Sequence, residues 1–235
     1  MSTKLSGDEK DLELLKSLRE GLASEAFLRD GRLIGERDLA SKMDVSRARL
    51  RRALDQMEKD GDIFRRQGQG TFVLPPPLTH APRVRSLAAA VTPHDVMEVR
   101  LEIEPALAAL AAERATTKDL HQLESFCAAT KSRPSAEAYE RADDIFHYKI
   151  AKMAANPLFL SIFEEIRAVR REAVWTNVRA ESYSPMVLAE TSAQHDEICI
   201  AIASQNPHSA ASAMQRHLVH VSNARLRPRW YDADQ

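Results

Sequence analysis

The chain has 235 residues, 33 basic and 34 acidic side chains, a formal net charge of −1 and 44% apolar residues. That length has room for two modest domains, each with its own core, and the charge balance excludes a protein that coats nucleic acid through overall basicity. Cys127 and Cys199 make no disulfide framework and no apolar run has the ~18 residues of a membrane span, so a reducing, cytoplasmic setting with no membrane attachment is expected.

Residues 10–30 read as one amphipathic helix, with Leu12, Leu15, Leu18, Leu22 and Phe27 near helical spacing. Glu36 to Met43 is a second, short helical pattern with Leu39 and Ala40 on its apolar side. After Asp44-Val45, Ser46 is a natural N-cap for a third. Its run V-S-R-A-R-L-R-R-A-L sets Leu50, Ala53, Leu54 and Met57 at i, i+3, i+4, i+7 and crowds Arg47, Arg49, Arg51 and Arg52 together. A basic helix with one apolar stripe, joined to its predecessor by so short a turn, has helix-turn-helix spacing. Taken alone, such a charge run is as often a solvated face.

Asp60-Gly61 ends that helix. Ile63 to Arg66 reads as a strand, Gln67-Gly68-Gln69-Gly70 as a turn and Thr71-Phe72-Val73 as a second strand. A helix-turn-helix followed by a glycine-tipped hairpin is a winged helix, here residues 1–75. Pro75-Pro76-Pro77 then opens a stiff, extended connector over 76–92, rich in proline and without a periodic pattern.

From Thr92 onward every segment reads helical, so the fold class is mainly α, with residues 93–229 an antiparallel bundle of about six helices. The first is capped by Thr92-Pro93-His94-Asp95 and runs to about Ala115, with a bend expected at Pro105. Thr117 caps a second to Thr130, and Ser135 a third that Asn156-Pro157 stops. The fourth spans about Leu158 to Arg179, Ser184-Pro185 opens the fifth, and Asn206-Pro207 the sixth to about Leu226.

The chemistry of the bundle lies in its histidines. Asp143 and His147 sit four apart and share a helix face with Tyr139, Ile150, Ala151 and Ala154, which points them inward. His195 aligns with Thr191, Ile198 and Ile202, and His217 with Ala210, Ala213, Met214 and Val221. One carboxylate and three imidazoles from three helices can converge on a first-row divalent ion, Zn²⁺ or Ni²⁺, leaving positions open for a ligand. The bland alternative is four separately hydrogen-bonded core residues; five further histidines show that the residue is simply common here. Asp144 lies about 100° around the helix from Asp143. Arg100 stands beside Met97, Ile103 and Leu107 at the edge of an apolar face, where a snorkelling arginine paired with Glu104 is the plain reading.

In combination, G-E-R-D-L-A, V-S-R-A-R-L-R-R-A-L and G-Q-G-T-F-V resemble the DNA-binding domain of the GntR family of bacterial regulators, over residues 12–74. Only Arg32 to Gly35 separate Gly31 from Glu36, less than the turn and strand many members carry there. The stretches D-D-I-F-H-Y-K-I-A-K-M-A-A-N-P, Q-H-D-E-I and M-Q-R-H-L resemble the family's FCD effector domain, over residues 93–227.

The resemblance implies a homodimer on palindromic double-stranded operator DNA, contacted by Arg37, Arg47 and Arg51 with Ser46 and Arg49 nearby, and by a wing whose Gly68 and Gly70 approach the backbone. It implies a divalent metal on Asp143, His147, His195 and His217, and a small carboxylic-acid effector held by Arg100. Asn177 is a further pocket candidate, since an amide can read a hydroxyl. The expected function is a ligand-responsive transcription regulator, a repressor. A metal-dependent hydrolase is the alternative, but the chain has no H-E-x-x-H, no G-x-S-x-G and no phosphate-cradling glycine loop, so no enzyme is expected.

Overall fold

A computed structural model describes residues 7–23, 26–29, 32–60, 62–66, 70–73, 81–131, 136–172 and 185–226. The chain divides into two compact units, Met1–Pro76 and Pro77–Gln235.

The first unit runs α1 (Gly7–Ala23), β1 (Leu28–Arg29), β2 (Arg32–Leu33), α2 (Glu36–Lys42), α3 (Arg47–Asp60), β3 (Phe64–Arg66) and β4 (Gly70–Phe72). Its antiparallel sheet has the order β1-β2-β4-β3, with Phe64 opposite Phe72 and Arg32 opposite the same Phe72. The four residues before Glu36 therefore do hold a strand, shortened to two residues that still pair on both sides.

The first helix stops at Ala23 rather than running to residue 30. The Phe27 ring folds back onto Gly21, where a Cβ would stand 1.9 Å from it, and the Phe27 N–H donates to the Gly21 carbonyl at 3.4 Å. The inward stripe of α1 is Leu14, Leu18 and Leu22 at i, i+4, i+8, whereas Leu12 lies off that face and is 67% exposed. That stripe packs on Leu39, Leu50, Leu54, Met57 and Ile63, and Arg19 ties the helix to Asp60 and Asp62 at 2.8 and 2.7 Å.

The turn between α2 and α3 is set by Asp44, whose φ of 51° is left-handed. Its N–H donates to Ser41 and that of Val45 to Ala40, so the last carbonyls of α2 are satisfied by a Schellman turn. This fixes the angle at which α3 leaves α2.

The second unit runs α4 (Ala81–Ala90), α5 (Pro93–Arg114), α6 (Thr117–Lys131), α7 (Ala136–Met153), α8 (Pro157–Glu172), α9 (Pro185–Ala203) and α10 (Pro207–Leu226). The connector expected to be extended is thus helical over Ala81–Ala90. Pro82 falls in the first turn, where its missing N–H costs nothing, and Val84 and Ala88 bury against Val96, Ala168 and Val169.

The helix ends follow their caps. Thr92 and Asp95 form a reciprocal capping box, and α5 continues through Pro105 as one helix. Thr116, not Thr117, caps α6, exchanging bonds with Asp119. Asn156 and Asn206 each accept N–H groups of the following helix with proline next in line. Just before them Ala155 and Gln205 take left-handed φ of 48° and 51°, closing α7 and α9.

Helix α5 is central, packing against α7, α8, α9 and α10. Leu123, Phe146, Ile150, Ile198, Ile202, Met214 and Leu218 form the core around it. Among the described residues, no helix is long and apolar enough to cross a membrane.

Candidate metal centre and nucleic-acid interface

Helices α7, α9 and α10 bring four polar side chains into that apolar core. Asp143, His147, His195 and His217 are all buried, and one ligand atom from each lies within 4.8 Å of the others. His147 Nε2 is 3.6 Å from Asp143 Oδ1, His195 Nε2 is 3.4 Å from the same oxygen, and His217 Nε2 is 3.2 Å from His147 Nε2. All three imidazoles thus turn the same nitrogen to one point.

Their other nitrogens face acceptors. The Thr130 hydroxyl donates to the Cys127 carbonyl at 2.7 Å, so toward His195 Nδ1, 3.2 Å away, its oxygen accepts. His217 Nδ1 is 3.2 Å from Gln194 Oε1. His147 Nδ1 lies 2.7 Å from Glu104 Oε2, an ion-pair distance without straight hydrogen-bond alignment. With the protons on Nδ1, the Nε2 lone pairs are left converging, and buried His195 Nε2 has no hydrogen-bond partner. Facing lone pairs are repulsive and an unpartnered buried polar atom is costly; a cation between them removes both penalties.

Electrostatics agree. Burial raises the Asp143 carboxyl, but His147 and His195 outweigh it and hold the group well below the usual carboxylate range. Burial also opposes ionisation of Glu104, yet Arg100 and then His147 bring it down to about 2. Burial lowers His195, and it lowers His217 well below the ordinary value with help from His195 and His147, so both are neutral donors. His147 is raised instead, since Glu104 and Asp143 outweigh its burial.

Arg100 lies in the core beside this cluster rather than at the surface. Its Nε and Nη2 engage both oxygens of Glu104, and its Nη1 is 3.7 Å from Met97 Sδ. Asp144 turns away from the centre to a two-pronged pair with Arg167, and Arg170 Nη2 reaches 4.0 Å from Asp143 Oδ2. Asn177 lies outside the described residues. Sequence reasoning missed Glu104, Thr130, Gln194 and Arg170 as partners of the centre; Glu104 alone left a trace, one turn after Arg100.

In the first unit, the Ser46 oxygen accepts from the Arg49 N–H at 3.3 Å, starting α3. Arg47 and Arg52 are exposed, Arg51 is held by Glu36 at 2.8 Å, and Arg37 is 86% exposed. Arg49 sits about 200° around the helix from Arg47 and pairs with Asp11 of α1 at 2.7 Å. Arg52, not singled out from the sequence as a contact, faces outward, opposite the stripe of Leu50 and Met57. At the wing, Gly70 takes a φ of 111°, a backbone conformation that favours glycine, and a Cβ there would stand 2.8 Å from the end of the Arg32 side chain. Gly68 lies outside the described residues.

Comparison with known proteins follows the same division. Residues 12–73 match the model for bacterial regulatory proteins of the gntR family, and residues 95–220 match the FCD domain. The chain is 29% identical over 193 residues to the HTH-type transcriptional regulator LutR of Bacillus subtilis, covering 79% of this chain and 87% of that one. It is 29% identical over 211 residues to the putative L-lactate dehydrogenase operon regulatory protein of Escherichia coli, covering 87% and 80%. It is 26% identical over 212 residues to the Exu regulon transcriptional regulator of the same organism, covering 88% and 80%. Among solved structures, E. coli McbR/YncC shares the fold at a TM-score of 0.50 and 18% identity, over 94% of this chain and 98% of that one. With a winged helix-turn-helix and a helical second domain each matched by its own model, the chain belongs to the gntR family of bacterial DNA-binding transcription regulators, in the branch that carries an FCD domain.

Proposed function

We propose that this regulator is a homodimeric repressor whose helical unit holds a divalent metal, Zn²⁺ or Ni²⁺, on Asp143, His147, His195 and His217, and reads a small carboxylate effector beside it. The observation that carries the reading is the convergence of three histidine Nε2 atoms and one carboxylate oxygen within 4.8 Å in a buried, apolar setting. A bound ion would supply Lewis-acid attraction for an anionic ligand, with no base or proton donor called upon.

The charges favour an anion. A divalent cation with Asp143, Glu104 and Arg100 sums to one net positive charge, and Arg170 stands close by. Arg100 engages Glu104 through Nε and Nη2 and places Nη1 3.7 Å from Met97 Sδ, so a guanidinium, the group that recognises carboxylates in a two-pronged way, stands beside the four ligands. L-lactate, in the name of one relative's operon, is itself a small carboxylate. A hydrolase gains no support from relatives named as regulators.

The DNA side rests on α3 and the wing. Two copies of α3 related by a two-fold axis would read the half-sites of a palindrome. Selection from a random-sequence duplex pool tests this: wild type should enrich a two-fold-symmetric site. Arg47→Ala and Arg51→Ala should each lose about 1–3 kcal/mol on it. Wild-type binding by both variants, or enrichment of an asymmetric site, would overturn the proposal.

A further inference from the structure

We infer that Glu104, clamped by Arg100, is the positioning residue that holds His147 in the form able to bind metal, and that Arg100 serves the centre through Glu104. The inference rests on the metal reading above and adds residues outside its four ligands.

Arg100 and Glu104 stand one turn apart on α5, each with a side chain 3% exposed. The guanidinium fork covers both carboxylate oxygens, fixing the group's orientation and its charge. Oε2 then lies 2.7 Å from Nδ1 of His147, a ring that is itself 1% exposed. An ionised carboxylate can only accept, so the nitrogen facing it must carry the proton. The lone pair is left on Nε2, toward Asp143 and His217.

The three outer partners are not equivalent. Gln194 is an amide that works equally well turned over, donating where it now accepts. Thr130 is fixed as an acceptor only by its bond to the Cys127 carbonyl. Glu104 is the charged one, and its charge also stabilises the positive polarisation that a ring acquires when its Nε2 donates to a cation. Without Glu104, the buried ring has no group that forbids the opposite tautomer.

The test uses the full-length protein and Zn²⁺ alone as probe. Zn²⁺ affinity is read by competition with a chromophoric chelator, and the His147 tautomer by long-range nitrogen–proton NMR on metal-free protein. Wild type should show His147 protonated on Nδ1. Glu104→Gln should mix the tautomers and weaken Zn²⁺ binding about 10–100-fold. Because that change strands a buried guanidinium, the paired variant Arg100→Met with Glu104→Gln guards against misfolding, and it should bind no worse than Glu104→Gln alone. Wild-type affinity and an unmixed tautomer in both variants would overturn the inference. So would a paired variant much weaker than the single one, which would make Arg100 act independently. A wild type that binds no Zn²⁺ but shows the locked tautomer would remove the metal reading while leaving the lock in place.

Discussion

At the scale of residues, the second unit invests buried charge where an apolar core would be cheaper, and it does so in matched groups. Lys149, on another face of α7 from His147, is an example: its side chain is 9% exposed and its ammonium lies 2.6 Å from Asp119 and 2.7 Å from Gln122. Burial raises the Asp119 carboxyl, but bonds from Lys149 and Thr116 outweigh it and bring it to about 2. The folded value is depressed below the unfolded one of about 3.9, so the stabilisation is complete above pH ~4 and is lost as pH falls toward 2. Asp119→Asn should cost about 1–3 kcal/mol in urea denaturation at neutral pH, and the gap from wild type should close as pH is lowered through that window. A gap that stays constant to pH 2 would show that charge is not its source. The pairing was invisible in the sequence because Asp119 and Lys149 meet through packing of two helices whose relative rotation no local pattern specifies.

At the scale of elements, the bundle is punctuated by two copies of one device: a left-handed residue, then asparagine, then proline, at Ala155-Asn156-Pro157 and Gln205-Asn206-Pro207. Asn156 accepts from Leu158 and Phe159 at 3.0 and 3.3 Å, while Pro157 has no N–H to satisfy. Asn156→Ala should therefore cost about 1 kcal/mol and lower the thermal midpoint, whereas Asn156→Asp should retain most of the stability. Equal melting of Asn156→Ala and wild type would remove the cap from the account. Such local chemistry explains what was legible. The two Asn-Pro breaks, the cap at Thr92 and the start of α3 after Ser46 all depend on neighbours in sequence, and they stand where the sequence places them. The misread stretches depend on partners far along the chain. Residues 81–90 look unpatterned until Val84 and Ala88 meet α8, and α1 ends at Ala23 because Phe27 returns to Gly21. The four candidate ligands were legible because helical phase alone turned them inward on apolar stripes. Their outer partners were not, since Glu104, Thr130 and Gln194 reach the centre only through the packing of helices against one another.

At the scale of the whole molecule, a winged helix-turn-helix unit is followed in the chain by a helical unit in which Asp143, His147, His195 and His217 bring side chains from three helices together. The proposed effector acts through the helical unit, so residues 1–75 alone should bind operator DNA weakly and without any response to carboxylates. An effector response in that fragment, measured by fluorescence anisotropy, would take the helical unit out of the mechanism. A cation shared by the four buried groups, as proposed, would add directly to stability. An ion held only by the folded state adds RT ln(1 + [M]/Kd), about 2.7 kcal/mol when the free metal is 100 times Kd. Elemental analysis combined with thermal melting in the presence and absence of a strong chelator is the most direct measurement, made on wild type and on His217→Ala. Wild type should carry about one divalent ion per chain and melt at a lower temperature with chelator. In His217→Ala, both the ion and the chelator effect should be diminished. A wild type without bound divalent metal, melting at the same temperature with and without chelator, would contradict the shared cation.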